Sequence, residues 1–103
     1  MKILITSTEN NLSALIDKRF GRAHWFCVFD QELNETTFIE NPNIEAQGGA
    51  GSKSAENIIG LGVEKVISGH FGPKAKTVLD KFNIQMIEID EETTIEKLIE
   101  KLK

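Results

Sequence analysis

Positive charge gathers beside a glycine in an otherwise acidic chain. The stretch RFGRAHWFCVFD, residues 19–30, places Arg19, Arg22 and His24 around a Phe-Gly step, directly before an apolar run. The chain has 103 residues, of which 12 are Lys or Arg and 16 are Asp or Glu, so its formal net charge is −4. A local cluster of cations in an acidic protein indicates a site for a small anion. The negative net charge of the whole chain argues against general nucleic-acid binding, which needs an extended basic surface.

A second candidate for anion chemistry is the glycine-rich stretch QGGAGSKSAEN. Its glycines, Gly48, Gly49 and Gly51, permit close approach of the backbone and lead into a predicted helix. Free N–H groups and the dipole at a helix N-terminus favour anions. The stretch matches neither G-x-x-x-x-G-K-[ST] nor a G-x-G-x-x-G motif that follows a strand. A flexible loop without a ligand therefore stays open as an alternative.

Few side chains in the chain are nitrogen or sulfur ligands for a transition metal, namely one cysteine and two histidines. The single cysteine, Cys27, lies inside the apolar run, where it is expected to pack as a small hydrophobe. The two histidines, His24 and His70, lie next to the ends of predicted strands. They are the candidate metal ligands, with the alternative that each is an ordinary side chain at the rim of a pocket.

The elements that must position these residues follow from the apolar pattern. Helical periodicity predicts three helices: one over about 52–61, one from Pro73 to Phe82, and one after a Thr93-x-x-Glu96 capping box. The order β, β, β, α, β, α, β, α predicts one α/β domain over residues 1–103, with a mixed five-stranded sheet and helices on both faces. The five predicted strands are residues 2–7, 24–30, 36–40, 64–68 and 84–89.

The predicted topology brings the candidate residues to one edge of the sheet. If strands one, four and five are parallel and strand two is antiparallel to strand one, the start of strand two lies beside the carboxyl ends of the parallel strands. Ligands of open α/β sheets bind at this edge. The segments expected there are residues 7–10, 20–24, 41–51, 68–72 and 90.

Three motifs together resemble a known family. The stretches RFGRAHWF, then ENPN and QGGAGSKSAENI, then LGVEKVISGHFGPKA are similar in type and order to those of the dinitrogenase iron–molybdenum cofactor biosynthesis family, over nearly the whole chain. The resemblance implies a three-layer α/β/α fold of the ribonuclease H type, with strand order 3-2-1-4-5 and strand two antiparallel. It also implies a non-enzymatic carrier that holds or delivers a metal–sulfur cluster, such as the iron–molybdenum cofactor or a precursor.

The resemblance also implies which residues would contact the cluster. Glycine N–H groups would donate to sulfides, Arg22 would offset negative charge, and a histidine could ligate iron or molybdenum. The family motif falls on Phe20, Gly21, Arg22, Ala23, Gly48, Gly49, Ala50, Gly51, Gly69, Gly72 and Pro73. His24 and His70 join this set because of their ligand chemistry and position, not because the motif includes them.

Two other classes of function stay in view. A nuclease of the ribonuclease H type needs several carboxylates around Mg²⁺, whereas strand one ends in a Thr-Ser-Thr run and Asp30 lies at the far end of strand two. A Ser-His-Asp arrangement built on Ser7 or Ser68 with His70 lacks a nucleophile elbow. The stronger rival is a metal-free regulatory module that binds a small anion or a partner protein.

Composition and hydropathy give expectations about location and partners. The single cysteine fits a reducing compartment, and the start MKILITS does not have the form of a signal peptide. No apolar segment approaches the ~20 residues that span a bilayer. We therefore expect a cytoplasmic monomer that contacts a cluster-assembly or acceptor protein and has no nucleic-acid or membrane partner.

Overall fold

A mixed five-stranded sheet forms the middle layer of the computed structural model, which describes residues 1–103. The strand order is β3-β2-β1-β4-β5. β2 is antiparallel to both of its neighbours, whereas β4 runs parallel to β1 and β5. The predicted sheet is thereby confirmed. The strands are β1 (Lys2–Ser7), β2 (Trp25–Asp30), β3 (Glu35–Glu40), β4 (Val63–Ser68) and β5 (Gln85–Glu88).

Helices cover both faces of the sheet. α1 (Ala50–Ile59) and α2 (Pro73–Lys81) share one face, where Ala55 and Leu79 pack in a core with Phe26 of β2. α3 (Ile95–Leu102) covers the other face together with the loop that follows β1. The α/β/α layering therefore agrees with the fold that the sequence predicts.

Alternation along the central strands supplies both cores at once. In β1, Leu4 enters the core beneath α1 and α2, whereas Ile3 and Ile5 enter the core beneath α3. In β2, Phe26 and Cys27 divide in the same way. Successive side chains of a strand point to opposite faces, so a strand that is apolar on both faces must lie in the middle of a covered sheet.

Several element boundaries differ from the predicted ones. α1 begins at Ala50, two residues before the predicted start, because Gly49 adopts a left-handed conformation with φ 69° and ends the loop earlier. The N-cap of α3 is Thr94, whose side chain accepts a hydrogen bond from the N–H of Lys97 at 3.2 Å, so the predicted cap at Thr93 was wrong by one residue.

Two further differences concern the ends of α2 and β2. Phe82 was predicted to extend the buried stripe of α2, but it follows the last helical residue and is 51% exposed. β2 begins at Trp25, so His24 precedes the strand and is exposed. Both residues lie at places where the regular backbone stops, and periodicity alone does not locate such places.

Candidate functional site

A cavity of about 460 Å³ opens at the carboxyl edge of the sheet, between the starts of α1 and α2. Three stretches of chain build its wall: the turn before β2, the start of α1, and the segment from the end of β4 into α2. The lining residues are Arg19, Phe20, Gly21, Arg22, Gly49, Ala50, Gly51, Ser52, His70, Gly72, Pro73, Lys74 and Ala75.

Both helices that border the cavity start without a side-chain cap. The N-cap residues are Gly49 for α1 and Gly72 for α2, and neither helix has an acidic residue in its first turn. The N–H groups of cavity-lining residues in both first turns find no acceptor within the protein, as is usual at a helix start. Two helix dipoles therefore present their positive ends to one cavity. These free donors belong to Ala50, Gly51, Ser52, Lys74 and Ala75.

A glycine allows the turn before β2 to reach the start of α1. A Cβ atom on Gly21 would lie 2.6 Å from the backbone nitrogen of Gly51 and 2.7 Å from its Cα. Gly69 has a different role, since its Cβ would lie 2.6 Å from the Cα of Lys18, outside the cavity. Gly21 therefore brings two walls of the cavity together, and Gly69 packs the end of β4 against the chain behind it.

The guanidinium of Arg22 joins the turn before β2 to the loop that leads into α1. Its Nη1 donates to the carbonyl oxygen of Ile44 at 3.0 Å, and its Nη2 donates to that of Ala46 at 2.7 Å. Arg22 was predicted to offset the charge of a ligand, and it does line the cavity. Two of its donors, however, hold the loop between β3 and α1.

Arg19, His70 and Lys74 stand at the rim with more exposed side chains than Arg22. Arg19 is 60% exposed, and its Nε lies 3.4 Å from Oδ1 of Asp17. His70 is 75% exposed, and its Nδ1 lies 3.7 Å from Oε2 of Glu88. Lys74 lines the cavity from the first turn of α2, and no Asp or Glu lines it. The cavity therefore carries positive charge in a protein that is negative overall.

The structure brings most of the predicted site residues together. Phe20, Pro73 and His70 line the cavity, as do the motif positions Gly21, Arg22, Gly49, Ala50, Gly51 and Gly72. Four predicted residues lie elsewhere. Ala23 is in the core, His24 is exposed away from every cavity, and Gly48 and Gly69 also lie outside the lining.

Two of the segments predicted at this edge do not reach the cavity. Residues 7–10 and Asp90 are absent from its lining. The loop after β1 turns instead toward α3, where the N–H of Ile16 donates to the carbonyl of Thr93 at 3.0 Å. The loops at the carboxyl edge of the sheet thus turn to opposite faces. The loop after β1 packs on the face of α3, and the cavity lies on the face of α1 and α2.

Cys27 belongs to the core beneath α3 and not to the cavity. Its side chain is fully buried, and burial raises the pKa of the thiol from its ordinary value of 9.0 to about 12. A thiol that stays protonated is a poor metal ligand and a poor nucleophile. The expectation that Cys27 packs as a hydrophobe is confirmed by its position.

Sequence reasoning missed part of the lining. Ser52, Lys74 and Ala75 were not singled out, and Arg19 was noted in the cation cluster but not among the candidate site residues, yet all four line the cavity. A signal for Lys74 was available, because it follows Pro73 at a predicted helix start on the same sheet edge. Nothing in the sequence separates Arg19 from Lys18, since only the fold places one of them on the cavity side.

No set of three or more His, Cys, Asp or Glu side chains is arranged to hold a metal ion. The cavity therefore offers hydrogen-bond donors and positive charge to a ligand.

None of the three helices has the length and apolar character needed to cross a membrane.

Solved structures share this architecture. The apo form of the orange protein from Desulfovibrio gigas superposes with a TM-score of 0.91 at 27% identity, over 98% of this chain and 85% of that chain. A NifB-like protein from Thermotoga, of the DUF35 family, superposes with a TM-score of 0.84 at 27% identity, over 98% of this chain and 85% of that chain. Both likenesses confirm the fold.

Sequence comparison reaches a relative and a family. An uncharacterized protein from Methanocaldococcus jannaschii is 32% identical over 89 residues, which make up 84% of this chain and 72% of that protein. The family model described as dinitrogenase iron-molybdenum cofactor matches residues 1–103. This match connects the chain with proteins of the iron–molybdenum cofactor. The resemblance first noted in the three motifs is confirmed: the chain belongs to the dinitrogenase iron–molybdenum cofactor family.

Proposed function

We propose that this protein holds or delivers a metal–sulfur cluster, of the iron–molybdenum cofactor or precursor type, in the cavity between the starts of α1 and α2. The observation that carries the proposal is the convergence of two uncapped helix starts on one cavity that no carboxylate lines. A cluster of this kind is an anionic object with sulfide at its surface, which suits N–H donors and cations.

The side chains available suggest how the cluster would be held. Backbone N–H groups such as those of Gly51 and Ala75 would donate to sulfides, while Arg19 and Lys74 would offset charge. His70 is the one histidine at the cavity and is proposed as the candidate ligand to a metal atom. His24, proposed beside it from the sequence, would need to move to reach the cavity.

Binding of this kind suits a carrier. A cluster held mainly by hydrogen bonds and charge keeps its own terminal ligands, so its release breaks few metal–protein bonds. The expected partner is then a cluster-assembly or acceptor protein that exchanges the cluster at the open edge of the sheet. The proposal assigns no reaction to the protein.

A second candidate function is a metal-free module that binds a small anion or a partner protein. The observation that favours it is the lack of any set of three side chains able to hold a metal. N–H donors and cations serve an oxyanion as well as a sulfide-bearing cluster. The two functions therefore differ in what occupies the cavity, and metal analysis separates them.

The experiment begins with anaerobic purification from a metal-replete host, followed by measurement of Fe, Mo and the visible spectrum. The carrier function predicts stoichiometric metal and sulfide-to-metal charge-transfer bands. These should be lost in Lys74→Ala, Arg22→Ala or His70→Ala and kept in the matched control Lys76→Ala, an exposed position of α2 outside the cavity. A colourless protein that also stays empty when offered preformed iron–sulfur or thiomolybdate clusters would favour the metal-free module.

A further inference from the structure

Two buried polar side chains lie behind the cavity without lining it. Asn41, directly after β3, and Ser54, in α1, are both fully buried. The Nδ2 of Asn41 donates to the carbonyl oxygens of Gly21 at 3.0 Å and Ala23 at 2.9 Å. The Oγ of Ser54 donates to the same Gly21 oxygen at 2.9 Å. Side chains from two elements therefore converge on one backbone carbonyl.

The carbonyl of Gly21 lies at the tightest point of the site. A Cβ on Gly21 would meet the backbone of Gly51 at 2.6 Å, so small rotations of this peptide would change how the turn contacts the start of α1. Asn41 is itself fixed from its other side, because its Oδ1 accepts the N–H of Asn43 at 3.0 Å. The connection therefore links the end of β3, the turn before β2, and α1.

The direction of these hydrogen bonds matters for an anion. A carbonyl oxygen turned toward the cavity would repel a negative ligand, and a buried carbonyl without a donor costs free energy. Asn41 and Ser54 engage the carbonyl of Gly21, and Arg22 engages those of Ile44 and Ala46. The first-turn N–H groups of α1 keep no such partner. Acceptors are thus occupied by side chains, and donors remain for the ligand.

We propose that Asn41 and Ser54 are positioning residues of the anion cavity: they hold the carbonyl of Gly21 away from the ligand and fix the turn before β2 against the start of α1. The inference rests on the proposed function for the identity of the ligand. It goes beyond it because neither residue touches the cavity.

The test uses near-isosteric variants that remove donors and keep volume. Asn41→Leu removes both N–H donors without adding a charge, and Ser54→Cys removes the strong hydroxyl donor. Affinity for the probe tetrathiomolybdate should fall roughly tenfold in each variant, as expected for losing one or two buried hydrogen bonds. Ser54→Thr keeps the hydroxyl and should retain wild-type affinity. The matched control is Gln85→Ala, since Gln85 is exposed on β5 and lies outside both the cavity and the hydrogen bonds of Asn41 and Ser54.

A second measurement separates this inference from the proposed function. In the protein without probe, the nuclear Overhauser contact between the Gly21 Hα and the Gly51 N–H should weaken in Asn41→Leu and Ser54→Cys and persist in Ser54→Thr and Gln85→Ala. If the wild type binds neither tetrathiomolybdate nor a preformed iron–sulfur cluster, the cluster proposal fails, and this contact alone decides the positioning role. Variants that keep both the contact and the affinity would overturn the inference.

Discussion

The helix starts on the two faces of the sheet are built differently. α3 begins with Thr94, whose side chain accepts the N–H of Lys97, and it carries Glu96 in its first turn. α1 and α2 begin with Gly49 and Gly72 and have neither a side-chain cap nor an acidic residue in the first turn. The start of α3 on one face is therefore stabilised by a cap, whereas the first-turn N–H groups of α1 and α2 on the other face stay free to bind a ligand.

The difference teaches where the molecule gives up stability. A side-chain N-cap contributes about 1 kcal/mol relative to alanine but only about a few tenths of a kcal/mol relative to glycine, and an acidic residue in the first turn adds roughly 0.3–1 kcal/mol. The chain has this device at α3 and lacks it at both helices that border the cavity. Uncapped starts on a shared cavity are what an anion site requires, because a cap would occupy the donors. Substitutions at the uncapped and the capped starts should therefore differ in their effect on ligand binding.

The largest effect is expected for Gly21→Ala. The new Cβ would lie 2.6 Å from the backbone of Gly51, so the turn must leave the start of α1. We expect the free energy of unfolding to fall by about 2 kcal/mol or more, as for overpacked sites, and ligand binding to be lost. Urea unfolding and a titration with tetrathiomolybdate measure the two quantities.

The control for this substitution is Gly60→Ala. Gly60 ends α1 in a right-handed conformation, and a Cβ there meets nothing within 4 Å. Alanine at this position should raise stability by about 0.5 kcal/mol, by restricting the unfolded chain, and leave affinity unchanged. If Gly21→Ala binds the probe as tightly as Gly60→Ala does, the close approach of the two walls is not needed for the site.

A cap added at α2 should trade binding for stability. Gly72 has φ −70° and ψ 162°, the extended conformation of an N-cap, and a Cβ there would meet nothing within 4 Å. In Gly72→Asp the carboxylate can accept the first-turn N–H groups, so we expect stability to rise by about 0.5 kcal/mol. The same carboxylate stands at the cavity and should weaken anion binding at least roughly tenfold.

Gly72→Ala separates the two contributions to that result. It adds a Cβ without a cap or a charge, so its affinity should stay within about twofold of the wild type. Thermal unfolding and the same titration apply to both variants. Unchanged affinity in Gly72→Asp would show that the ligand does not use the start of α2.

The capped helix should respond in the opposite sense. Thr94→Ala removes the hydroxyl that accepts the N–H of Lys97, so we expect a loss of about 1 kcal/mol in the free energy of unfolding and no change in affinity. Thr93→Ala is the matched control, because Thr93 matches the capping-box pattern but does not form the cap. A larger loss in Thr93→Ala than in Thr94→Ala would contradict the observed cap.

The sheet and the start of α3 differ in how well they could be predicted from the sequence. The order of strands and helices predicted helices on both faces of the sheet, and the division of Phe26 and Cys27 of β2 between the two cores agrees with it. The choice between Thr93 and Thr94 could not be made in this way. Both are threonines, and the cap depends on the local backbone, with φ −87° and ψ 158° at Thr94.

The candidate site was predictable in its location but less so in its contacts. Glycine motifs and topology placed the turn before β2 beside the start of α1, and the structure joins them through Gly21. The hydrogen bonds of Arg22 were not predictable, because they depend on where the carbonyls of Ile44 and Ala46 lie after folding. Lys74 could have been predicted, because it follows Pro73 in the first turn of a helix that begins at the same edge of the sheet.

The smallest effect on binding is expected at Cys27, beneath the capped face. Cys27→Ala should leave affinity unchanged, because the thiol lies in the α3 core. The substitution should alter the pH dependence of stability instead. The pKa of the thiol is raised from 9.0 to about 12 in the folded protein, so the folded state holds a proton that the unfolded state has lost between these values.

The sign of that dependence follows from proton linkage. The contribution of Cys27 to stability is complete below pH 9 and is lost as pH rises toward 12, with a slope of about 1.4 kcal/mol per pH unit. Urea unfolding of the wild type and Cys27→Ala at pH 8, 9.5 and 10.5 isolates this contribution, because all other groups titrate alike in both proteins. Parallel pH profiles would contradict the burial of the thiol, and a loss of tetrathiomolybdate binding in Cys27→Ala would move the ligand site to the capped face.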